Sequence, residues 1–195
     1  MVVMPRPIAF NSNTVLDQAM LMFWTYGYAG TSLQDLVEKT KLLRGSIYHS
    51  FGDKRSLYIQ TLQRYGQTSL QQAMDILNSP GTSYENFRAL LMVVVDGSAA
   101  ERRRGSMLCN SIVEVVPHDP QIAEVVNGIL DDFKKVVQSA LDRASRMGEL
   151  GPGTDAKALS RYVVSSIQGL CVTAKAGAPR DELLDIVDMT LSALK

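Results

Sequence analysis

The chain has 195 residues, 46% hydrophobic and 21% charged, with 20 basic and 20 acidic side chains and a formal charge of zero. That is enough apolar material for the packed core of one domain or two, and too balanced for a solvated polyelectrolyte. Composition alone gives no reason to expect nucleic acid, and Cys109 and Cys171, the two cysteines, supply neither a disulfide framework nor metal-ligand spacing.

The longest apolar run, Ala89 to Val95, is far below the roughly 20 residues needed to cross a bilayer. The opening residues carry no secretory hydrophobic region. These features predict a reduced, cytoplasmic protein with no membrane association, no cofactor and no metal. Charge is unevenly placed, however. Between residues 39 and 64, Lys39, Lys41, Arg44, Lys54, Arg55 and Arg64 are opposed by Asp53 alone, and a basic patch on a neutral chain is the footprint of a phosphate-binding face.

In chain order, Arg6 lies in a Pro-flanked arm, read either as a tail or as a segment entering the minor groove. Leu16, Ala19, Met20, Phe23 and Tyr26 recur at helical spacing and predict a first helix from about Thr14 to Tyr26, ended by Gly27. Ser32 is a good N-cap, and Asp35 in the following turn suits the helix dipole. Leu33, Leu36 and Val37 give this second helix one apolar face. It runs out near Thr40, and Lys41–Leu42–Leu43 has the length of a helix-turn-helix connection.

The third helix is two-sided. Leu43, Ile47 and Phe51 fall on one side; Gly45, Ser46 and His49 fall on the other, with Arg44 and Tyr48 on the flank. Gly45 costs roughly 1 kcal/mol against Ala inside a helix. It reads either as room for a close backbone approach to nucleic acid or as an aid to the turn. Recognition helices touch bases mainly through N-terminal residues, which makes Arg44 the base reader, because a guanidinium binds guanine O6 and N7 together. Tyr48 and His49 suit phosphates or thymine methyls. Asp53 is the expected N-cap of the next helix, which places Lys54 where it can hold phosphate or simply be solvated.

Phe23–Trp24, Gly27–Tyr28, Gly30–Thr31–Ser32–Leu33, Arg44 to Phe51 and Gly52–Asp53–Lys54 resemble the N-terminal domain of the tetracycline-repressor (TetR/AcrR) family over about residues 7 to 65. The resemblance implies that Thr31 and Ser32 touch phosphate, that Arg44, Gly45, Ser46, Tyr48 and His49 face the major groove, and that Lys54 holds the DNA backbone. Leu43 departs from the Ser or Thr common in the family, which puts a polar contact from the turn in doubt. Ser50 replaces a common aromatic residue.

The fourth helix starts at Lys54 and continues past an interruption at Gly66 to about Leu77, a stiff connection between two domains. Further helices are expected over Ser83–Asp96, Met107–Val115, Pro120 to about Met147, Asp155–Ala176 and Asp181–Leu194. Arg102–Arg103–Arg104 reads as a solvated run in a loop, and His118 as a loop residue. On the penultimate helix Leu159, Val163, Ile167, Leu170 and Ala174 form one stripe. Ala158, Tyr162, Ser165, Ser166, Gly169 and Thr173 form a second, of mostly small residues. Leu183, Ile186, Val187, Thr190 and Leu194 make a seam on the last helix. These stripes fit core as well as interface; the resemblance implies that the two C-terminal helices pair with their copies in a homodimer. A helix-turn-helix reading a palindrome also needs two copies about 34 Å apart.

The expected architecture is therefore all-α: a three-helix helix-turn-helix DNA-binding domain over residues 1–65, and a helical ligand-binding and dimerisation domain over 66–195. The expected function is a one-component transcriptional regulator, a repressor that leaves its palindromic operator when a small, mainly apolar effector binds. The effector pocket is expected among Phe87, Leu91, Met107, Val113, Phe133, Val137, Tyr162 and Ser166, positions that fit plain core equally. Cys109, near a helix start and downstream of three arginines, reads as a redox sensor or as a buried inert thiol. With His49 and His118 the only histidines, no catalytic constellation forms. The rival reading is an all-α small-molecule or lipid carrier without DNA function.

Overall fold

The computed structural model describes residues 11–194, and every regular element among them is helical. Arg6, the arm residue, lies outside the described residues. Two compact units divide between Thr61 and Leu62. The first unit begins with α1 (Ser12–Tyr26), whose N-cap Asn11 accepts hydrogen bonds from the N–H groups of Asn13 and Thr14. This cap starts α1 two residues ahead of the expected Thr14. The helices α2 (Leu33–Thr40) and α3 (Arg44–Phe51) follow. α1 packs on α2, and α2 on α3.

Aromatic side chains hold this unit together. Phe23 meets Tyr58 edge-on at 4.9 Å between ring centroids, and Tyr28 lies 4.8 Å from Tyr58. Phe23, Leu36, Ile47, Phe51, Leu57 and Tyr58 are all buried, and each contributes about 1.5–3 kcal/mol on leaving water. Gly30 is a packing requirement here: a Cβ would stand 2.2 Å from the carbonyl oxygen of Tyr26.

Helix α4 (Lys54–Leu77) supplies residues to both units. Its first turn is capped by Asp53, whose carboxylate accepts from the Ser56 N–H at 2.7 Å. Gly66, expected to interrupt α4, lies inside an unbroken helix. Its missing side chain makes room for a neighbour: a Cβ at Gly66 would meet Ile129 at 2.8 Å.

The second unit adds α5 (Ser83–Val95), α6 (Ala99–Arg104), α7 (Met107–Glu114), a 3-10 turn at Val116–His118, α8 (Pro120–Arg146), α9 (Ala156–Lys175) and α10 (Arg180–Ser192). Side-chain oxygens at their starts explain many of these boundaries. Thr82–Glu85 and Ser98–Glu101 form capping boxes on α5 and α6, Ser106 caps α7, and Asp119 caps α8 with Pro120 at the first position. The core gathers Phe87 and Leu91 of α5, Val137 and Leu141 of α8, Val163 and Leu170 of α9, and Leu183 and Val187 of α10.

The arginine run is helical, against the expectation of a loop. Arg102 is partly buried, and its guanidinium donates to the carbonyls of Val95, at 3.2 Å, and of Gly97. Arg180 reaches the same end of α5, pairing with Asp96 at 2.7 Å. Two cations thus meet the carbonyl end of α5, where the helix dipole favours them.

On α9, Leu159, Val163, Leu170 and Ala174 of the first stripe are buried and Ile167 is half-buried, whereas Ala158, Tyr162, Ser165 and Gly169 of the second are exposed and Ser166 and Thr173 are half-buried. The expected seam on α10 turns mostly inward: Leu183, Val187, Thr190 and Leu194 are buried within this chain, Ile186 is half-buried, and Met189 is a large apolar residue left exposed.

Replacing Gly66 by Ala should destabilise the protein by about 1–3 kcal/mol through overpacking, although Ala is the better helix former. Ile129→Ala in the same chain should recover most of that loss in thermal unfolding. Equal stability of the Gly66→Ala variant and the parent would show that Ile129 does not constrain this position.

Candidate nucleic-acid interface and effector cavity

The local chemistry of α2 and α3 decides which side chains of the first unit face outward. Ser32 and Asp35 form a reciprocal cap: the Ser32 N–H donates to the Asp35 carboxylate at 2.7 Å, and the Asp35 N–H donates to the Ser32 hydroxyl oxygen at 3.1 Å. Hydrogen bonds from the Ser32 hydroxyl and the Ser32 backbone N–H hold the half-buried Asp35 carboxyl below its ordinary range. At the end of α2, the Thr40 hydroxyl donates to the Leu36 carbonyl at 2.7 Å and accepts from the Leu42 N–H at 3.4 Å. Lys41 takes a left-handed conformation, φ 58° and ψ 19°, the only non-glycine with positive φ among the described residues. That residue redirects the chain into α3.

On α3, Ile47 and Phe51 are buried, while Arg44, Gly45, Tyr48 and His49 are exposed and Ser46 is half-buried. The Arg44 guanidinium carbon lies 5.8 Å from the centre of the Tyr48 ring. A Cβ at Gly45 would meet nothing within 4 Å, so packing within the chain does not demand glycine there. The Gln60 amide donates to the Phe51 carbonyl at 3.0 Å, tying α4 to the end of α3. Lys54 sits with its ammonium 4.4 Å from the centre of the Tyr28 ring, an orienting contact for a cation beside the start of α4.

Thr31 departs from the expected set. It is fully buried, and its hydroxyl donates to the Gly27 carbonyl at 2.8 Å. The side chain fastens the α1–α2 connection and presents no group to a phosphate. Ser32 is exposed, but its hydroxyl oxygen is engaged in the cap. Leu43, the departure at the turn, is 72% exposed, so it does not join Ile47 and Phe51 in the core as its spacing predicts.

In the second unit a cavity of about 150 Å³ opens among α4, α5, α7, α8 and α9. Leu90, Val93 and Val94 of α5, Leu130 and Phe133 of α8, and Val164 and Ile167 of α9 line it with hydrocarbon. Tyr65, Ser69 and Gln72 face it from α4; Ser106 and Gln168 add two more polar groups.

Of the expected pocket residues, Phe133 lines this cavity and seven do not. Phe87, Leu91, Met107 and Val137 are at most 1% exposed and belong to solid core. Val113 is 79% exposed and Tyr162 47%, so both point outward, and the half-buried Ser166 is absent from the lining. Helical spacing had marked inward faces without showing which of them meets a void. The overlooked signal was polar: Tyr65, Ser69 and Gln72, at intervals of four and three, form one face of α4.

Cys109 and Cys171 also line the cavity. Burial pushes the Cys109 thiol up, and pushes Cys171 up to about 12. Both are neutral thiols near pH 7, the reverse of the depressed pKa that a thiolate sensor requires. The charge that acts on the Cys109 thiol is Lys175, and no arginine of the upstream run is among the causes of its shift. No helix among the described residues is long and apolar enough to cross a membrane.

Gly45→Ala separates folding from binding. It should raise thermal stability by up to about 1 kcal/mol while weakening DNA binding, read by thermal melts beside duplex titrations. Unchanged DNA affinity would show that the missing side chain serves no bound partner.

Comparison with known proteins agrees with this layout. The profile of the bacterial regulatory proteins of the tetR family matches residues 15–61, and that of the tetracyclin repressor-like C-terminal domain matches residues 84–185. The uncharacterized HTH-type transcriptional regulator YezE of Bacillus subtilis (strain 168) is 35% identical, over 98% of this chain and 100% of its own. The HTH-type transcriptional repressor ComR of Escherichia coli (strain K12) is 28% identical over 95% of this chain and 90% of its own. Among solved structures, the TetR family regulator CifR, a cysteine mutant complexed with 26-bp double-strand operator DNA, superposes with a TM-score of 0.86. It is 28% identical, covering 97% of this chain and 100% of that one. The chain belongs to the TetR family of transcriptional regulators.

Proposed function

We propose that this chain is a one-component transcriptional repressor acting in the cytoplasm. As a homodimer it holds a palindromic operator and leaves it when a small, mainly apolar effector enters the cavity of the second unit. The observation that carries the DNA reading is the two-sided α3. Ile47 and Phe51 are buried, while Arg44, Tyr48 and His49 stand in solvent beside a glycine that the fold does not need. Arg44 reads a base edge. Tyr48, His49 and Lys54 grip the DNA backbone, Ser46 faces the groove, and Gly45 lets α3 come close. Ser32 meets phosphate near the start of α2, where the helix dipole favours an anion.

Pairing runs through the outward faces of α9 and α10. Tyr162, Val172 and Met189 are large apolar side chains left 47%, 56% and 67% exposed. A Cβ at Gly169 would meet nothing within 4 Å, so a second helix can approach closely there. Two copies then present two α3 helices to one face of a palindrome, about one helical turn apart. The effector acts by population shift: if it favours the conformer that fits DNA less well, operator affinity falls by its differential binding energy.

The test is titration of a duplex that the protein selects from a random pool. Affinity should fall steeply with salt, as phosphate neutralisation requires. Arg44→Ala should relax base preference at one position by about 1–3 kcal/mol, whereas Tyr48→Ala should weaken binding to all sequences alike. The opposite partition would overturn the groove assignment, and a flat salt response would favour a carrier without DNA function.

A further inference from the structure

Resting on the effector-responsive reading above, we infer that the effector is an uncharged molecule of about one aromatic ring bearing a single hydrogen-bonding oxygen, recognised by the polar face of α4. Size sets the first limit. Apolar cavities of about 150 Å³ hold a single benzene ring, and the cavity here is that large.

Charge sets the second limit. No Asp, Glu, Lys, Arg or His lines the cavity. A carboxylate or ammonium inside it would lose its hydration without gaining a counter-ion, and a buried unpaired charge is strongly disfavoured. The two cysteines there are neutral thiols, soft walls and not anions.

Polarity sets the third limit and gives the site its direction. Four helices contribute mainly hydrocarbon, whereas Tyr65, Ser69 and Gln72 make the α4 wall polar along one face. The Tyr65 phenol is tied to the beginning of α7 by hydrogen bonds with Ser106 and with the Met107 backbone, and to Ser69 on its own helix. Those three partners occupy the phenol's one donor and two acceptor sites, so a ligand oxygen placed against α4 is met by Gln72 and by the remaining capacity of Ser69, and a hydrocarbon of the same shape leaves that opportunity unused. Discrimination among ring-sized molecules is therefore written on α4 and at the start of α7.

Four probes of matched shape test this: benzyl alcohol, toluene, benzoate and benzylammonium, titrated into the full-length protein by calorimetry. Benzyl alcohol should bind about fivefold more tightly than toluene, the order of one neutral hydrogen bond, and at least tenfold more tightly than either ion. Gln72→Leu should bring benzyl alcohol to the level of toluene and leave toluene unchanged. Should Gln72→Leu fold poorly, Ser69→Ala should produce a smaller loss in the same direction. Benzoate or benzylammonium binding as tightly as benzyl alcohol, no binding by any of the four, or a well-folded Gln72→Leu with unaltered preference would each overturn the inference. Operator affinity is measured in the same buffers. If benzyl alcohol binds with the stated selectivity while operator affinity stays constant, the ligand class stands and the effector-responsive reading fails.

Discussion

The DNA-binding proposal depends on one short helix being held by two side chains. Helix α3 has eight residues and no side-chain cap at its N-terminus, and a helix this short is not stable alone in water. Burial of Ile47 and Phe51 supplies what the local sequence lacks, at about 1.5–3 kcal/mol for each side chain. Around them the Phe23–Tyr28–Tyr58 cluster, the Gln60–Phe51 hydrogen bond and the left-handed Lys41 fix the direction from which α3 arrives. Its polar side is left outward as a consequence. The same two buried residues that make the helix fold also decide that Arg44, Tyr48 and His49 meet solvent.

The second unit solves a different problem. Its helices must pack well enough to be stable and yet leave room for a guest. Solid core at Phe87, Leu91, Val137 and Leu141 accompanies a cavity edged by Leu90, Val94 and Phe133, so side chains one position apart on α5 serve opposite purposes. The polar wall of that cavity belongs to α4, the helix whose first turn follows directly on the recognition helix. The proposed effector chemistry and the proposed DNA chemistry thus fall on consecutive stretches of chain.

Much of this was legible in the residues. Ser32, Asp53 and Pro120 marked helix starts correctly because the signals at a helix start are local, between neighbours in sequence. The α3 faces followed from spacing alone, with Leu43 the exception. What escaped was tertiary. Thr31 looked like a surface hydroxyl until the chain reversal at Gly27 turned it inward. The arginine run looked like a loop, although Ser98 and Glu101 spell a capping box in front of it. Most of the residues named for the pocket do not line the cavity, because periodicity identifies an inward face and does not locate a void behind it. Val113 and Tyr162, large apolar residues at helical spacing, proved to lie on the outside.

Hydrogen exchange of the full-length chain, with and without a duplex it has selected, tests the central claim most directly. Backbone amides of residues 44–49 should exchange more slowly in the complex, because α3 carries the surface that meets DNA. Protection confined to the arginine-bearing α6, with α3 exchanging as in the free protein, would contradict the account.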